Sequence, residues 1–232
     1  MSGPEFSSQF NIYANNISSN QAPGWNEEEK SVFLTKSQEQ LCLSLYSGRN
    51  AYGGSFDSTE EMKRALTNII GEAERTPVAT DVPIATSSQS TFFELPEKLW
   101  FITYESVSTA DGKCSNSSLE VTPIRQDEYH RLKKNPFRGA NSRRALRLDS
   151  FNGIVEIIST YTIKKYYIKY LRRPYPIILE EFPDFSINGE NKPLWENKGL
   201  ESNEVCELDE SLHQVILENA VRMALEVWTT KQ

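Results

Sequence analysis

The apolar residues of this chain change their spacing twice, and that change limits the fold to a mixed one. Near the start, Phe6, Phe10, Tyr13 and Ile17 recur at helical spacing. Near the other end, Leu212, Ile216, Ala220, Met223 and Val227 do the same. Between them, Leu99–Ser108 reads Leu-Trp-Phe-Ile-Thr-Tyr-Glu-Ser-Val-Ser, a run of residues that suit a pleated, half-buried surface. A chain with helical pattern at both ends and strand pattern in the middle is expected to be α+β. The expectation is a helical bundle made from the N-terminal helices and the C-terminal helix, with an antiparallel β-domain inserted.

Local signals set the expected boundaries. Pro23 and Gly24 stop the first helix, because proline removes a donor and disfavours helix at Ala22, while Gly24 supplies a turn. Asn26 followed by Glu29 has the form of a capping box, with Glu27, Glu28 and Glu29 at the positive end of the helix dipole. That second helix should reach about Tyr46, with Val32, Phe33, Leu41 and Leu45 inward. A third is expected from Asp57 or Ser58, burying Met62, Ala65, Leu66, Ile69, Ile70 and Ala73. The expected domains are helices over 1–76, an arm over 77–91, a β-domain of four to six strands over 92–178, a loop over 179–208 and a final helix over 209–230 capped by Asp209. In the β-domain, Leu119–Ile124 should return from Leu99–Ser108 as a hairpin, with Pro123 at an edge. Gln126–Lys134 should be a short helix. Arg144–Asp149, Gly153–Ser159 and Tyr161–Arg172 should form a meander that turns at Asn152-Gly153.

Charge follows the same division. The net charge of −7 over 232 residues hides an asymmetry. Residues 1–124 hold 8 Lys/Arg against 16 Asp/Glu, residues 125–173 hold 13 against 4, and residues 174–232 hold 4 against 12. The three stretches therefore carry −8, +9 and −8. The overall sign argues against nucleic-acid binding by bulk charge, but the basic middle needs a reason. Its candidate interaction residues are Arg138, Arg143, Arg144, Arg147, Lys164, Lys165, Arg172 and Arg173, interleaved with tyrosines and Phe137. They suit an acidic protein surface, including that of a neighbouring copy. The alternatives are phosphate neutralisation by a nucleic-acid-binding accessory protein and a solvated sheet face.

No residue pattern supports catalysis or a cofactor. The two histidines, His130 and His213, read as ordinary helix residues. No phosphate-loop, dinucleotide, zinc-protease or nucleophile-elbow motif occurs. Gly53-Gly54-Ser55 lacks the lysine and preceding strand of a phosphate loop. Cys42, Cys114 and Cys206 are too far apart and too few for a disulfide framework or a zinc site, which suits a reducing compartment. No apolar run is long enough for a membrane span, and the start has no secretory-signal pattern. Gly3-Pro4-Glu5-Phe6 resembles a cloning remnant.

Longer motifs carry a resemblance. Phe10-Asn-Ile-Tyr-Ala-Asn-Asn-Ile-Ser-Ser-Asn-Gln-Ala-Pro-Gly24 and Glu29-Lys-Ser-Val-Phe-Leu-Thr-Lys-Ser-Gln-Glu39 are similar to the opening of virion structural proteins of tailed phages, in particular crAss-like phages of gut Bacteroidetes. Tyr170-Leu-Arg-Arg-Pro-Tyr-Pro-Ile177 and Cys206-Glu-Leu-Asp-Glu-Ser-Leu-His-Gln-Val-Ile216 match too, and the last also resembles head–tail adaptor proteins of short-tailed phages. The resemblance implies a non-enzymatic subunit of the head–tail connector. It would be made in the host cytoplasm and assemble as a dodecameric ring below the portal, around the DNA channel. Portal and other tail proteins would be its partners, with channel DNA as a further contact. Asn16, Asn20, Pro23 and Gly24, with Pro174 and Pro176, would then be conformational motifs at ring contacts.

Overall fold

The structure, a computed structural model, describes residues 1–18, 22–47, 64–79, 82–109, 118–135, 137–179 and 205–230. It has mixed α+β content and divides into two units. One is Met1–Ile69 with Arg173–Gln232, and the other is the contiguous Ile70–Arg172.

In the discontinuous unit, helix α1 (Gly3–Ile17) opens with a capping box between Ser2 and Glu5, and Phe6, Phe10 and Ala14 form its buried stripe. The stretch from Gly3 is therefore built into the fold. Ile17, expected inward, is 60% exposed, because Ala14 takes the place in the stripe. Helix α2 (Glu27–Ser47) opens on the Asn26/Glu29 capping box, with Glu29 N–H donating to Asn26 Oδ1 at 2.7 Å and Asn26 N–H to Glu29 Oε2 at 3.0 Å. Its buried face is not the expected one. Lys30, Leu34, Ser37, Gln38, Cys42 and Leu45 are buried, whereas Val32 is exposed and Phe33 and Leu41 are only half-buried.

The reason lies in what runs beside α2. Residues 173–179 carry no regular structure, and their backbone is stitched to polar side chains spaced along the helix. Ile177 N–H donates to Thr35 Oγ1 at 3.1 Å, Leu179 N–H donates to Ser31 Oγ at 3.0 Å, and Gln38 Nε2 donates to the Tyr175 carbonyl at 3.1 Å. Ser31, Thr35 and Gln38 follow helical spacing, so the face is polar in order to satisfy a strand-like segment that has no sheet partner there. The C-terminal helix, α4 (Glu210–Thr229), is capped by Asp209, whose side chain accepts from Ser211 N–H. It packs on both α1 and α2 through Ile216, Leu217, Ala220, Val221 and Ala224. Ser37 Oγ donates to the Ile216 carbonyl at 2.7 Å across that packing.

The expected third helix is cut short. Its first part, 57–63, lies outside the described residues; 64–66 are helical and Thr67–Ile69 form a 3-10 turn. Ile70 and Ala73 belong to strand β1 (Ile70–Arg75). Ile70, Glu72 and Glu74 share one face of that strand, and the two glutamates pair with Lys169 and Lys165 on the strand alongside.

The contiguous unit is a seven-stranded sheet in the order β1-β7-β3-β4-β5-β6-β2. The remaining strands are β2 (Ser90–Glu94), β3 (Leu99–Thr109), β4 (Ser118–Pro123), β5 (Arg144–Asp149), β6 (Ile154–Ile158) and β7 (Ile163–Arg172). The β3–β4 pair is antiparallel as expected, with Ser106 opposite Glu120. Pro123, though on a central strand, sits past the last β3–β4 pair, where its missing N–H costs no bond on that side. Two expectations fail. First, β4 and β5 run parallel, joined by a crossover holding helix α3 (Tyr129–Leu132). Second, β7 does not follow β6 in a meander; it lies between β1 and β3, because β2 already occupies the outer side of β6. Within the stretch expected as an arm, Val78 bridges to Phe92, with Val78 N–H donating to the Phe92 carbonyl at 2.9 Å, so the continuation of β1 reaches the outer edge of β2 and the sheet curls on itself. The β5–β6 turn is the expected one, with Asn152 at φ 56° and Gly153 at φ 70°, a pair of left-handed residues that suits the sheet twist.

Ten residues, among them Phe93, Val107, Ala145, Ile157, Tyr166 and Ile168, form the core on one face of this sheet. A smaller cluster of Tyr129, Leu146, Leu148 and Ile158 covers β5 and β6 from the other side. Being covered twice, Ala145, Leu146, Arg147 and Leu148 are all buried, so β5 does not show the expected alternation.

Candidate interaction surface

The crossover between β4 and β5 gathers the exposed charge of the contiguous unit, and its shape is fixed from below. Tyr129 sits in the smaller core, 3% exposed, with Ile124 and Ala140 packed beside it. The ends are pinned to the sheet: Ile124 N–H donates to the Arg147 carbonyl at 2.9 Å, and Glu120 N–H to the Arg143 carbonyl at 3.2 Å. Asn141 Oδ1 accepts from Arg143 N–H at 2.9 Å and from Arg144 N–H at 3.1 Å. Asn135 does the same work at the tip, accepting from Phe137 N–H at 2.9 Å and Arg138 N–H at 3.3 Å. Gly139 closes the tip; a β-carbon there would lie 3.0 Å from the Asn135 carbonyl oxygen and 3.1 Å from that of Leu132. The result holds Phe137 out of the fold, 86% exposed, next to exposed Arg138. Arg125, Arg131, Lys133, Lys134 and Arg143 are exposed on the same crossover, against two acids, Asp127 and Glu128. The Arg131–Glu128 ion pair there, at 3.7 Å, is solvent-screened and weak.

The other expected interaction residues divide. Arg138 and Arg143 are on the crossover, and Arg144 is half-buried at its end. Lys164 and Lys165 are exposed on β7, but Lys165 pairs with Glu74 of β1, and Lys169 pairs with Glu72 at 2.8 Å. The glutamates hold both ammonium groups above their ordinary pKa through hydrogen bonding and charge. Arg172 is half-buried and ends β7. Arg173 belongs to the other unit, where its Nη2 lies 2.7 Å from Glu39 Oε1. Counted by unit, Ile70–Arg172 holds 15 Lys/Arg against 12 Asp/Glu and the remainder 10 against 20, so the units carry +3 and −10.

Arg147 is the clear correction: it is 9% exposed and points into the sheet core, so it offers nothing to a partner. Its Nη1 donates to Glu105 Oε2 at 2.8 Å, and the Tyr166 hydroxyl donates to the same oxygen at 2.6 Å. Its Nε lies 3.0 Å from Asp149 Oδ1, off the line of a hydrogen bond, so that contact is an ion pair only. Burial pushes Glu105 above the usual carboxylate pKa, with Arg147 and Tyr166 opposing it, and pushes the Tyr166 phenol far up. One carboxylate thus joins β3, β5 and β7. The cue that could have shown this was an Arg and a Glu inside otherwise apolar strands.

The discontinuous unit offers a groove of about 320 Å³. Trp25, Val32, Phe33, Ala224, Val227 and Trp228 line it, and Glu29 stands at its rim beside exposed Glu28. Val32 and Val227, both expected in a core, are instead exposed here at 47% and 44%. Pro23 and Gly24 line the same groove. Gly24 does not use its freedom: among the described residues, only Asn152 and Gly153 have positive φ. Asn16 is exposed on α1, Pro174 is buried, Pro176 is exposed, and Asn20 lies outside the described residues.

His213 and Cys42 are held in structural roles. His213 is 2% exposed with Nε2 3.0 Å from the Leu208 carbonyl. Burial, then the neighbouring Cys206 and acids, raises the Cys42 thiol to about 12, which keeps it protonated and unreactive. Among the described residues, no group of three or more His, Cys, Asp or Glu could hold a metal, and no helix is long and apolar enough to cross a membrane.

Comparison with known proteins is consistent along the whole length. A family model described as phage tail ring protein 3/4 matches residues 1–232. The chain is 40% identical over 230 residues to Ring protein 3 of Bacteroides phage crAss001, covering 97% of this chain and 95% of that protein. It is also 33% identical over 230 residues to Ring protein 4/5 of the same phage, covering 95% and 90%.

Proposed function

The chain belongs to the phage tail ring protein 3/4 family, and on that premise we propose that it is a structural subunit of the head–tail connector, forming a dodecameric ring below the portal around the DNA channel. The observation that carries the reading is the charge division, +3 on one unit and −10 on the other. A ring is built from heterologous contacts, in which one surface of a copy meets a different surface of the next. A subunit with one basic and one acidic unit has such a pair of surfaces on a single chain. The helices of both chain ends serve as one bundle in this reading, with portal and tail proteins as axial neighbours and no catalytic step. Mass photometry of the purified chain, with and without portal protein, tests it. Rings, or rings on addition of portal, are expected; a monomer under both conditions overturns the reading.

A second reading rests on the crossover. Its six exposed Lys and Arg side chains beside Phe137 suit contact with channel DNA. Binding of a short duplex should then weaken with salt in proportion to the phosphates neutralised. A flat response from 50 to 200 mM salt would remove it.

A further inference from the structure

We propose that the ring contact is a plug and socket: Phe137, at the tip of the basic crossover, inserts into the Trp25/Trp228 groove of a second copy of this chain. The inference rests on the ring reading above and deepens it by naming the surfaces. The plug is built for exposure. Asn135 Oδ1 accepts from Phe137 N–H, two carbonyl oxygens close in on Gly139, and Phe137 stands 86% exposed. Aromatic residues, Phe among them, and arginine are enriched at interfaces.

Among the described residues, none fills the socket. Val32 on α2 and Val227 on α4 belong to the apolar patterns of their helices, yet face a groove of about 320 Å³. Trp25 and Trp228 supply aromatic walls, and an aromatic ring packs well edge-on to such walls. Charge complementarity selects the occupant. Glu29 lines the groove on a unit of net charge −10, whereas Arg138 and its basic neighbours flank Phe137. Because plug and socket are different surfaces, each copy has one of each, and the contact propagates from copy to copy until it closes.

Cysteine cross-linking tests the pairing. The background is Cys114→Ser; Cys42 and Cys206 are buried. Arg138→Cys, which keeps Phe137, and Val227→Cys are placed together in one chain at exposed positions, so folding is preserved. Under mild oxidation of the assembled protein, non-reducing gels should show a ladder of dimer, trimer and higher species. A mixture of the two single variants should stop at dimer. Phe137→Ala should raise the concentration needed for half-assembly by about tenfold or more. Rings without the ladder overturn the plug and socket but leave the ring reading standing; absence of both rings and ladder overturns both.

Discussion

Arg147 and Glu105 meet inside the sheet at 2.8 Å, and the Tyr166 hydroxyl shares the same carboxylate oxygen. Removing one member strands the others in an apolar core. Arg147→Met should therefore destabilise the protein by about 3–5 kcal/mol in a urea titration, whereas pairing it with Glu105→Leu should recover much of the loss. Tyr166→Phe should cost less, about 1–3 kcal/mol, because it removes one donor and leaves the ion pair. Two other carboxylates respond to pH with a definite sign. Burial alone would raise Glu27, but hydrogen bonds from Lys30 and Ser7 outweigh it and lower its pKa. Ser211, through hydroxyl and N–H, lowers Asp209. A lowered carboxylate stabilises the fold above its unfolded pKa and loses that effect as pH falls through its folded value. Asp209→Ala should thus cost about 1 kcal/mol at neutral pH, and the difference from the parent should shrink below about pH 4 in thermal melts.

At the level of elements, what could be read from the sequence was what local spacing determines. The capping boxes, the Asn152-Gly153 turn, the β3–β4 hairpin and the last helix depend on residues a few positions apart. The polar face of α2 depends on residues 173–179 lying beside it, and no helical pattern announces that. Likewise β1 looked helical because Leu66, Ile69, Ile70 and Ala73 recur at i, i+3, i+4 and i+7, and only the lysines of β7 favour the strand. Of the expected interaction residues, Arg138 and Arg143 are exposed on the crossover, while Arg147 is lost to the core. A basic count cannot tell a solvated arginine from one buried against a carboxylate. Two substitutions probe these elements. Gln38→Leu removes a donor from the Tyr175 carbonyl and should cost about 1–3 kcal/mol. Gly153→Ala forces a β-carbon into left-handed backbone and should cost roughly 1–2 kcal/mol with no change in the far-UV circular dichroism.

For the whole molecule, opposite charge on the two units predicts a salt-sensitive assembly. Arg138→Glu with Arg143→Glu should shift the assembly midpoint to higher protein concentration while leaving the thermal midpoint within a few degrees, since both side chains are exposed. Mass photometry beside a thermal melt separates the two effects. The division of the chain also sets an order of events during synthesis. The Ile70–Arg172 unit is contiguous and can fold as soon as its own residues have left the ribosome. Its partner unit needs α1 and α2, made early, and α4, made after every other element. Trp25 therefore waits for Trp228, and the groove they line does not exist on a nascent chain. On the plug-and-socket proposal, a chain on which Trp228 has yet to be made presents a finished plug but no finished socket, so it cannot seat a neighbour's Phe137.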